Sequence, residues 1–265
     1  MAASRKAGND ANIKLLIFDL DNTLVDTKRA DKLAFEEVKN FLQKECPNLD
    51  VDGVVSLFRK YVTEAEVDPE EKISVDEWRT HLWGKAIGNG YVSSNGLDKQ
   101  VYSKWKEMRL KEIFFTEEVK DLLVRLRQKY KLTLMTNGDS TVQHEKVAVC
   151  SAEEYFDSII VSGDYPHAKP HPSIYEVAFK QFSVLPSECV MIGDSLKTDI
   201  EGGLNSGLFA TVWINPNSAE PSGFDPEPCY SIPSVLLLEG VLTNMHSKKS
   251  NQGPNTWEVN MMNVL

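Results

Sequence analysis

Short apolar runs recur along the chain at Ile13–Phe18, Lys131–Thr136, Ser158–Val161, Cys189–Ile192 and Ala210–Ile214. They are rich in β-branched residues and continuous rather than alternating, the pattern of strands buried on both faces. Between most of them, apolar positions return at helical spacing. Val119, Leu122, Leu123 and Leu126 share one face of a helix opened by Thr116, with Glu117 and Glu118 in its first turn. Asp139–Val149 follows the second strand, and Pro172 opens a helix running to about Phe182. Leu196–Asn205 stops before Gly207. Strands alternating with helices predict an α/β fold, a doubly wound and mostly parallel sheet.

One interval breaks the alternation. About 110 residues separate the first strand from the second, far more than an ordinary crossover. Four helical stripes fill the interval: Ala30, Leu33, Ala34, Val38, Phe41 and Leu42; then Val51, Val54, Val55, Phe58 and Val62; then Val75, Trp78, Leu82, Trp83 and Ala86; then Leu97, Val101, Trp105 and Met108. Four amphipathic helices can bury their stripes on one another. The pattern therefore predicts a helical insertion over residues 28–112 within a discontinuous α/β core of residues 13–27 and 113–242. Placed directly after the first strand, such an insertion is expected to act as a lid. Residues 1–12 and 243–265 are expected to be disordered, the latter being rich in Asn, Ser, Lys and Gly.

Charge and cysteine usage narrow the class. With 29 basic against 39 acidic residues the chain carries a net charge of −10, which argues against partnership with nucleic acid or an anionic membrane. The start has no apolar signal core, and no apolar run approaches the 18 or so residues of a membrane span. Cys46, Cys150, Cys189 and Cys229 are scattered without metal or redox spacing, as in a reducing compartment. The expectation is a cytoplasmic α/β protein; its oligomeric state is left open.

Three strands end on polar groups, and a lysine follows another. Asp19 and Asp21 lie two apart beyond the first strand, suited to a nucleophile and an acid/base acting on one group, and Asn22 tolerates a left-handed loop. Thr136 and Asn137 end the second strand, where a hydroxyl and free amides can cradle phosphate. Lys169 is fixed by Pro170 and Pro172 before a helix, and His171 reads as a capping residue. Gly193, Asp194 and Asp199 follow the fourth strand, with Ser195 as a cap. Each stretch alone is an ordinary turn or helix cap. Together they lie on one edge of one sheet, where open α/β sheets bind ligands. Carboxylates converging there require a divalent cation or protonation, and oxygen-only ligands with no Cys or His favour Mg²⁺.

The order Asp19-x-Asp21-x-Thr23, Thr136, Lys169 and Gly193-Asp194-x4-Asp199 resembles the haloacid dehalogenase-like hydrolase superfamily, and the helical insertion looks like its C1-type cap. The resemblance covers about residues 13–242. It implies an Mg²⁺-dependent phosphatase with Asp19 as nucleophile and Asp21 as acid/base. It further implies a metal held by Asp19, Asp21 (through its carbonyl) and Asp194, and phosphate held by Thr136, Asn137 and Lys169. Thr23 and Asp199 would support these groups, Asp199 by orienting Lys169 or the metal shell. An acid at position 21 places the chain with phosphatases and phosphomutases, since dehalogenases and phosphonatases lack it. The stretches "FDLDNTLVDT", "LTLMTNGD", "GDSLKTDIEGGLNSGL", "ATVWIN" and "RTHLWGKAI" are similar to a sugar-acid phosphatase group within the superfamily, which implies a small phosphorylated sugar acid as substrate. In the insertion, Arg109 is the foremost candidate for a substrate carboxylate, with Arg79 and His81 behind it. The alternatives are a less selective phosphatase of phosphoglycolate, sugar phosphates or nucleotides, and a catalytically silent binding protein on the same fold.

Overall fold

The computed structural model describes residues 12–64, 73–88, 96–223 and 225–247. Six strands form one parallel sheet: β1 (Leu15–Phe18), β2 (Lys131–Thr136), β3 (Ser158–Val161), β4 (Cys189–Gly193), β5 (Ala210–Ile214) and β6 (Tyr230–Ile232), in the order β3-β2-β1-β4-β5-β6. β1 is central, with Phe18 level with Leu134 on one side and Ile192 on the other. Asp19 thus leaves the sheet between the ends of β2 and β4.

The two faces of β1 are divided by the period of two. Leu16 and Phe18 enter one core with Val119, Leu122, Leu123 and Leu126 of α5 (Glu117–Arg127) and with Leu238 and Leu242 of α9 (Leu238–Ser247). Leu15 and Ile17 enter the other with Ile174, Tyr175 and Ala178 of α7 (Pro172–Phe182). Helices on both faces make this the doubly wound α/β fold. Caps fix the helix starts: Thr116 accepts from the Val119 amide, and His171 Nδ1 accepts from Ser173.

Between β1 and α5 the chain forms α1 (Thr27–Glu45), α2 (Val51–Glu64), α3 (Val75–Ile87) and α4 (Leu97–Lys111). Ala34, Val38, Leu42, Val54, Val55, Phe58, Trp78, Leu82, Trp83, Val101 and Trp105 pack into a third apolar cluster. Phe58 and Trp83 stack with centroids 3.7 Å apart. This layer rests on α6 (Ser140–Val149), whose Val142 belongs to the same cluster, while Ala30 in the first turn of α1 packs with the sheet. Lys106 of α4 also reaches Glu145 of α6 at 2.6 Å.

Three features depart from the reading of the sequence. β6 is a sixth strand that three residues with one buried apolar side chain do not announce. The helix expected at Leu196–Asn205 begins as a π turn over Leu196–Ile200 and continues as α8 (Glu201–Asn205). Residues 243–247, expected to be disordered, form the end of α9, with Met245 buried in the sheet core. Residues 1–11 and 248–265 lie outside the described residues. Among the described residues no helix is long and apolar enough to cross a membrane.

Candidate active site

Asp19 is buried at the carboxyl edge of the sheet. Its Oδ1 accepts from Lys169 Nζ at 2.8 Å and its Oδ2 from the Thr23 hydroxyl at 3.2 Å. Lys169 donates also to the Met135 carbonyl at 2.7 Å and pairs with Asp199 at 2.7 Å. Burial pushes Asp19 up to about 7 against the pull of Lys169, with Asp199 adding to the rise. Burial opposes the charge on Lys169 in turn, but Asp19 and Asp199 outweigh it and hold the lysine protonated. The tight loop after Asp19 turns through Asn22, which takes a left-handed φ of 59°.

Two neighbouring loops complete this edge. The Asn137 side chain donates to the Lys169 carbonyl at 2.8 Å and accepts from the Lys169 amide at 3.0 Å, clamping one loop to the other. The Thr136 hydroxyl is buried with no hydrogen-bond partner among the described residues. Such an orphan is costly unless a ligand oxygen meets it. After β4, Ser195 caps the π turn through the Thr198 amide, and the Asp199 carboxylate accepts from the Ser195 amide at 3.0 Å. The wide turn brings Asp199 back beneath Lys169, and Gly193 leaves the room, since a β-carbon there would overlap the Asp199 carboxylate.

Asp21 turns elsewhere. Lys146 Nζ reaches its two oxygens at 2.8 and 2.7 Å, Gln143 donates at 3.1 Å, and the Thr27 hydroxyl donates as well. Burial alone would raise Asp21, but Lys146, Thr27 and Gln143 outweigh it and hold the carboxyl below its ordinary range. Lys146 is itself pulled down by burial and by Arg109, so the pair depends on Asp21 to keep the lysine charged. The sequence reading did not identify Lys146 or Gln143. Both occupy the buried face of α6 with Val142 and Val147, and polar residues on an otherwise apolar stripe were the available signal.

Oxygens of Asp19, Asp194 and Asp199 lie within 4.8 Å of one another. Burial and the neighbouring Asp199 both raise Asp194, and Lys28, which pairs with it at 3.7 Å, is exposed. Like charges about 4 Å apart repel by roughly 4 kcal/mol at an effective dielectric of 20. Lys169 pairs directly with Asp19 and Asp199, whereas Asp194 feels it only at a distance, so one buried cation stands against three carboxylates. An all-oxygen set with surplus negative charge fits a hard divalent cation. The Asp21 carboxylate stands outside this cluster.

In the helical layer, Arg109 donates to Asp31, and Arg79 and Arg109 line a common cavity. His81 is exposed on α3 and does not line that cavity.

A strand-end carboxylate paired with a buried lysine, beside an acidic cluster and beneath inserted helices, defines a class of hydrolase. The chain belongs to the haloacid dehalogenase-like hydrolases, whose family model matches residues 16–213. It is 36% identical over 252 residues to the human N-acylneuraminate-9-phosphatase, covering 91% of this chain and 98% of that one. It is 31% identical over 204 residues to the glyceraldehyde 3-phosphate phosphatase of Pyrococcus abyssi, covering 76% and 81%. Among solved structures, the Bacillus subtilis HAD-hydrolase YfnB, bound to magnesium, superposes with a TM-score of 0.64 at 24% identity, over 87% of this chain and 99% of that one. The chain is a phosphoric monoester hydrolase.

Proposed function

We propose that the chain is an Mg²⁺-dependent phosphatase that works through an aspartyl-phosphate and acts on an N-acylneuraminate 9-phosphate. The convergence of Asp19, Asp194, Asp199 and Lys169 on one sheet edge carries the chemical part of this reading. The extent of similarity to the human N-acylneuraminate-9-phosphatase supports the substrate.

An Asp19 oxygen attacks phosphorus in line and the bond from phosphorus to the sugar oxygen breaks, while Asp21, in the minor protonated form it reaches against the pull of Lys146, delivers its proton to that oxygen. Asp21, now a carboxylate, takes a proton from the water that attacks the acyl phosphate, which frees phosphate and restores Asp19. Lys146 favours the charged form of Asp21 needed for this second step. Lys169, the Thr136 hydroxyl and the Asn137 backbone amide hold phosphoryl oxygens as charge develops, and Asp199 orients Lys169. Asp19, Asp194 and the Asp21 carbonyl would hold Mg²⁺, which would supply charge compensation at the phosphoryl group.

Phosphate release should require Mg²⁺ and vanish in EDTA. Asp19→Asn should lose all measurable turnover with its circular dichroism unchanged; retention of more than a few per cent, roughly, would exclude Asp19 as nucleophile. A panel of N-acetylneuraminate 9-phosphate, phosphoglycolate, hexose phosphates and nucleotides tests the substrate. Similarity to the archaeal glyceraldehyde 3-phosphate phosphatase supports a second reading, a less selective phosphatase. Comparable kcat/KM across the panel would favour that reading and exclude the first.

A further inference from the structure

The helices of the insertion enclose a cavity of about 210 Å³ into which Arg59, Arg79 and Arg109 project beside one acid, Asp31. A local excess of positive charge stands out in a chain of net charge −10. The three arginines are not equivalent. Arg109 already donates to Asp31, and its guanidinium lies 5.4 Å from the centre of the Trp105 ring. Arg59 is exposed at the rim, over the Phe35 ring at 5.2 Å. Arg79 lies over the other side of the problem: it approaches the Trp105 ring at 5.5 Å, no carboxylate pairs with it among the described residues, and its Nε is buried without a hydrogen-bond partner. Burial and the adjacent charge of Arg109 work against its own charge, Tyr102 and Asp139 offset them in part, and the orphan is the Nε alone. A guanidinium nitrogen withheld from water and from protein acceptors is costly unless a ligand supplies the acceptor.

The cavity is linked to the catalytic edge through α6. Val142 packs in the same apolar cluster as Trp105, and Arg109 and Asp31 are close enough to Lys146 to influence its charge. Lys146 in turn holds Asp21. A sugar acid phosphorylated at the end remote from its carboxylate carries two anionic groups far apart, one for the Asp19 edge and one for a cationic seat in the helical layer.

We propose that this cavity seats the substrate carboxylate and that Arg79, rather than Arg109, is the residue that reads it. Arg59 adds charge at the rim, and the Asp31–Arg109 pair fixes the wall. The inference rests on the sugar-acid reading above and goes beyond it by assigning the residue and the group it recognises. Arg79 can offer a carboxylate a fork of donors on an aromatic floor, whereas Arg109 would first have to release Asp31.

The test is calorimetric binding of N-acetylneuraminate and its methyl ester to the full-length protein, and to its Arg79→Gln, Arg79→Lys and Arg109→Gln variants. The wild type should bind the acid at least about 30-fold more tightly than the ester, as expected for a charge-assisted fork. Arg79→Gln should bring that ratio close to one, and Arg79→Lys, which keeps the charge and loses the fork, should leave an intermediate ratio. A residue with a merely structural role would weaken both ligands alike and leave the ratio unchanged. Equal binding of acid and ester by the wild type, or an undiminished ratio in both Arg79 variants, would overturn the assignment, as would collapse of the ratio in Arg109→Gln alone. Hydrolysis of N-acetylneuraminate 9-phosphate by the wild type is measured separately. Its absence would overturn the substrate reading, while an Arg79-dependent acid-to-ester ratio would still support the carboxylate seat.

Discussion

Asp19 and Asp21 leave one strand two residues apart and meet opposite surroundings. Asp19 faces other carboxylates and is raised by burial; Asp21 faces Lys146, Gln143 and Thr27 and is lowered. Two carboxyl groups of one type are thereby driven apart, as separate roles require. Replacing Lys146 with Met should leave Asp21 enclosed without its cation, so its protonated form gains. The pH profile of aspartyl-phosphate hydrolysis, the step in which Asp21 acts as a base, should then move to higher pH, and that step should slow near neutrality by up to about 10²-fold. An unmoved profile would remove Lys146 from the control of Asp21. Asp19, Asp21, Thr136 and Asp194 were legible because each ends an apolar run, where chain position alone fixes the sheet edge. Lys146 and Gln143 were not, because their importance lies in a partner more than 120 residues away. Asp199 was expected to support either Lys169 or the metal shell, and the π turn that brings it beside Lys169 leaves no mark in hydrophobic spacing.

At the scale of elements, the strand ends depend on small local devices. Gly193 closes β4 where a side chain would strike Asp199, so Gly193→Ala should displace that carboxylate from Lys169. Phosphate release should fall sharply, and the melting temperature should drop as well, since parting a buried carboxylate from its lysine costs about 3–5 kcal/mol. At the opposite edge, Asp157 joins β2 to β3 by accepting from the Leu132 amide and from Lys131, each at 3.0 Å. Burial alone would raise Asp157, but the Leu132 amide and Lys131 outweigh it and hold the carboxyl below its ordinary value. A lowered folded-state pKa stabilises the protein above the unfolded value, near 3.9, and that contribution disappears as pH falls through the folded one. Asp157→Asn should therefore cost about 1 kcal/mol in urea unfolding at pH 7, with the gap closing as the pH is lowered through and below 4 or so. The five longer strands were legible as β-branched runs. β6 was not, because a three-residue edge strand with one buried apolar residue resembles a loop until β5 pairs with it. The final turn of α9 was hidden similarly: Asn, His and Ser predominate there, and the burial of Met245 decides its state.

The whole molecule divides its apolar interior between the sheet and the inserted helices, and α6 is where they meet. Trp83 is fully enclosed within the helical cluster, stacked on Phe58, so Trp83→Ala should cost that layer about 3–5 kcal/mol. Calorimetry should resolve two transitions, the lower from the helices and the upper from the sheet. A single shifted transition would mean that the layers unfold as one. The helical insertion was legible as a whole because four long stripes cannot all serve a strand crossover. Its cavity was not, since which arginines face inward depends on how the helices rotate against one another.

The position of β1 also governs the order in which the protein can be completed during synthesis. Leu15–Phe18 emerges first, yet its neighbours lie at Lys131–Thr136 and Cys189–Gly193. The helices between Thr27 and Lys111 have local partners and can pack while still tethered to the ribosome, whereas the apolar strand before them must wait. Until β2 has emerged, the segment destined for the centre of the sheet remains an unpaired strand, and until β4 follows, one of its edges stays open to capture by other chains. The early-folding helical insertion therefore stands beside the segment most in need of shelter, and truncated chains that end before β4 should aggregate through it.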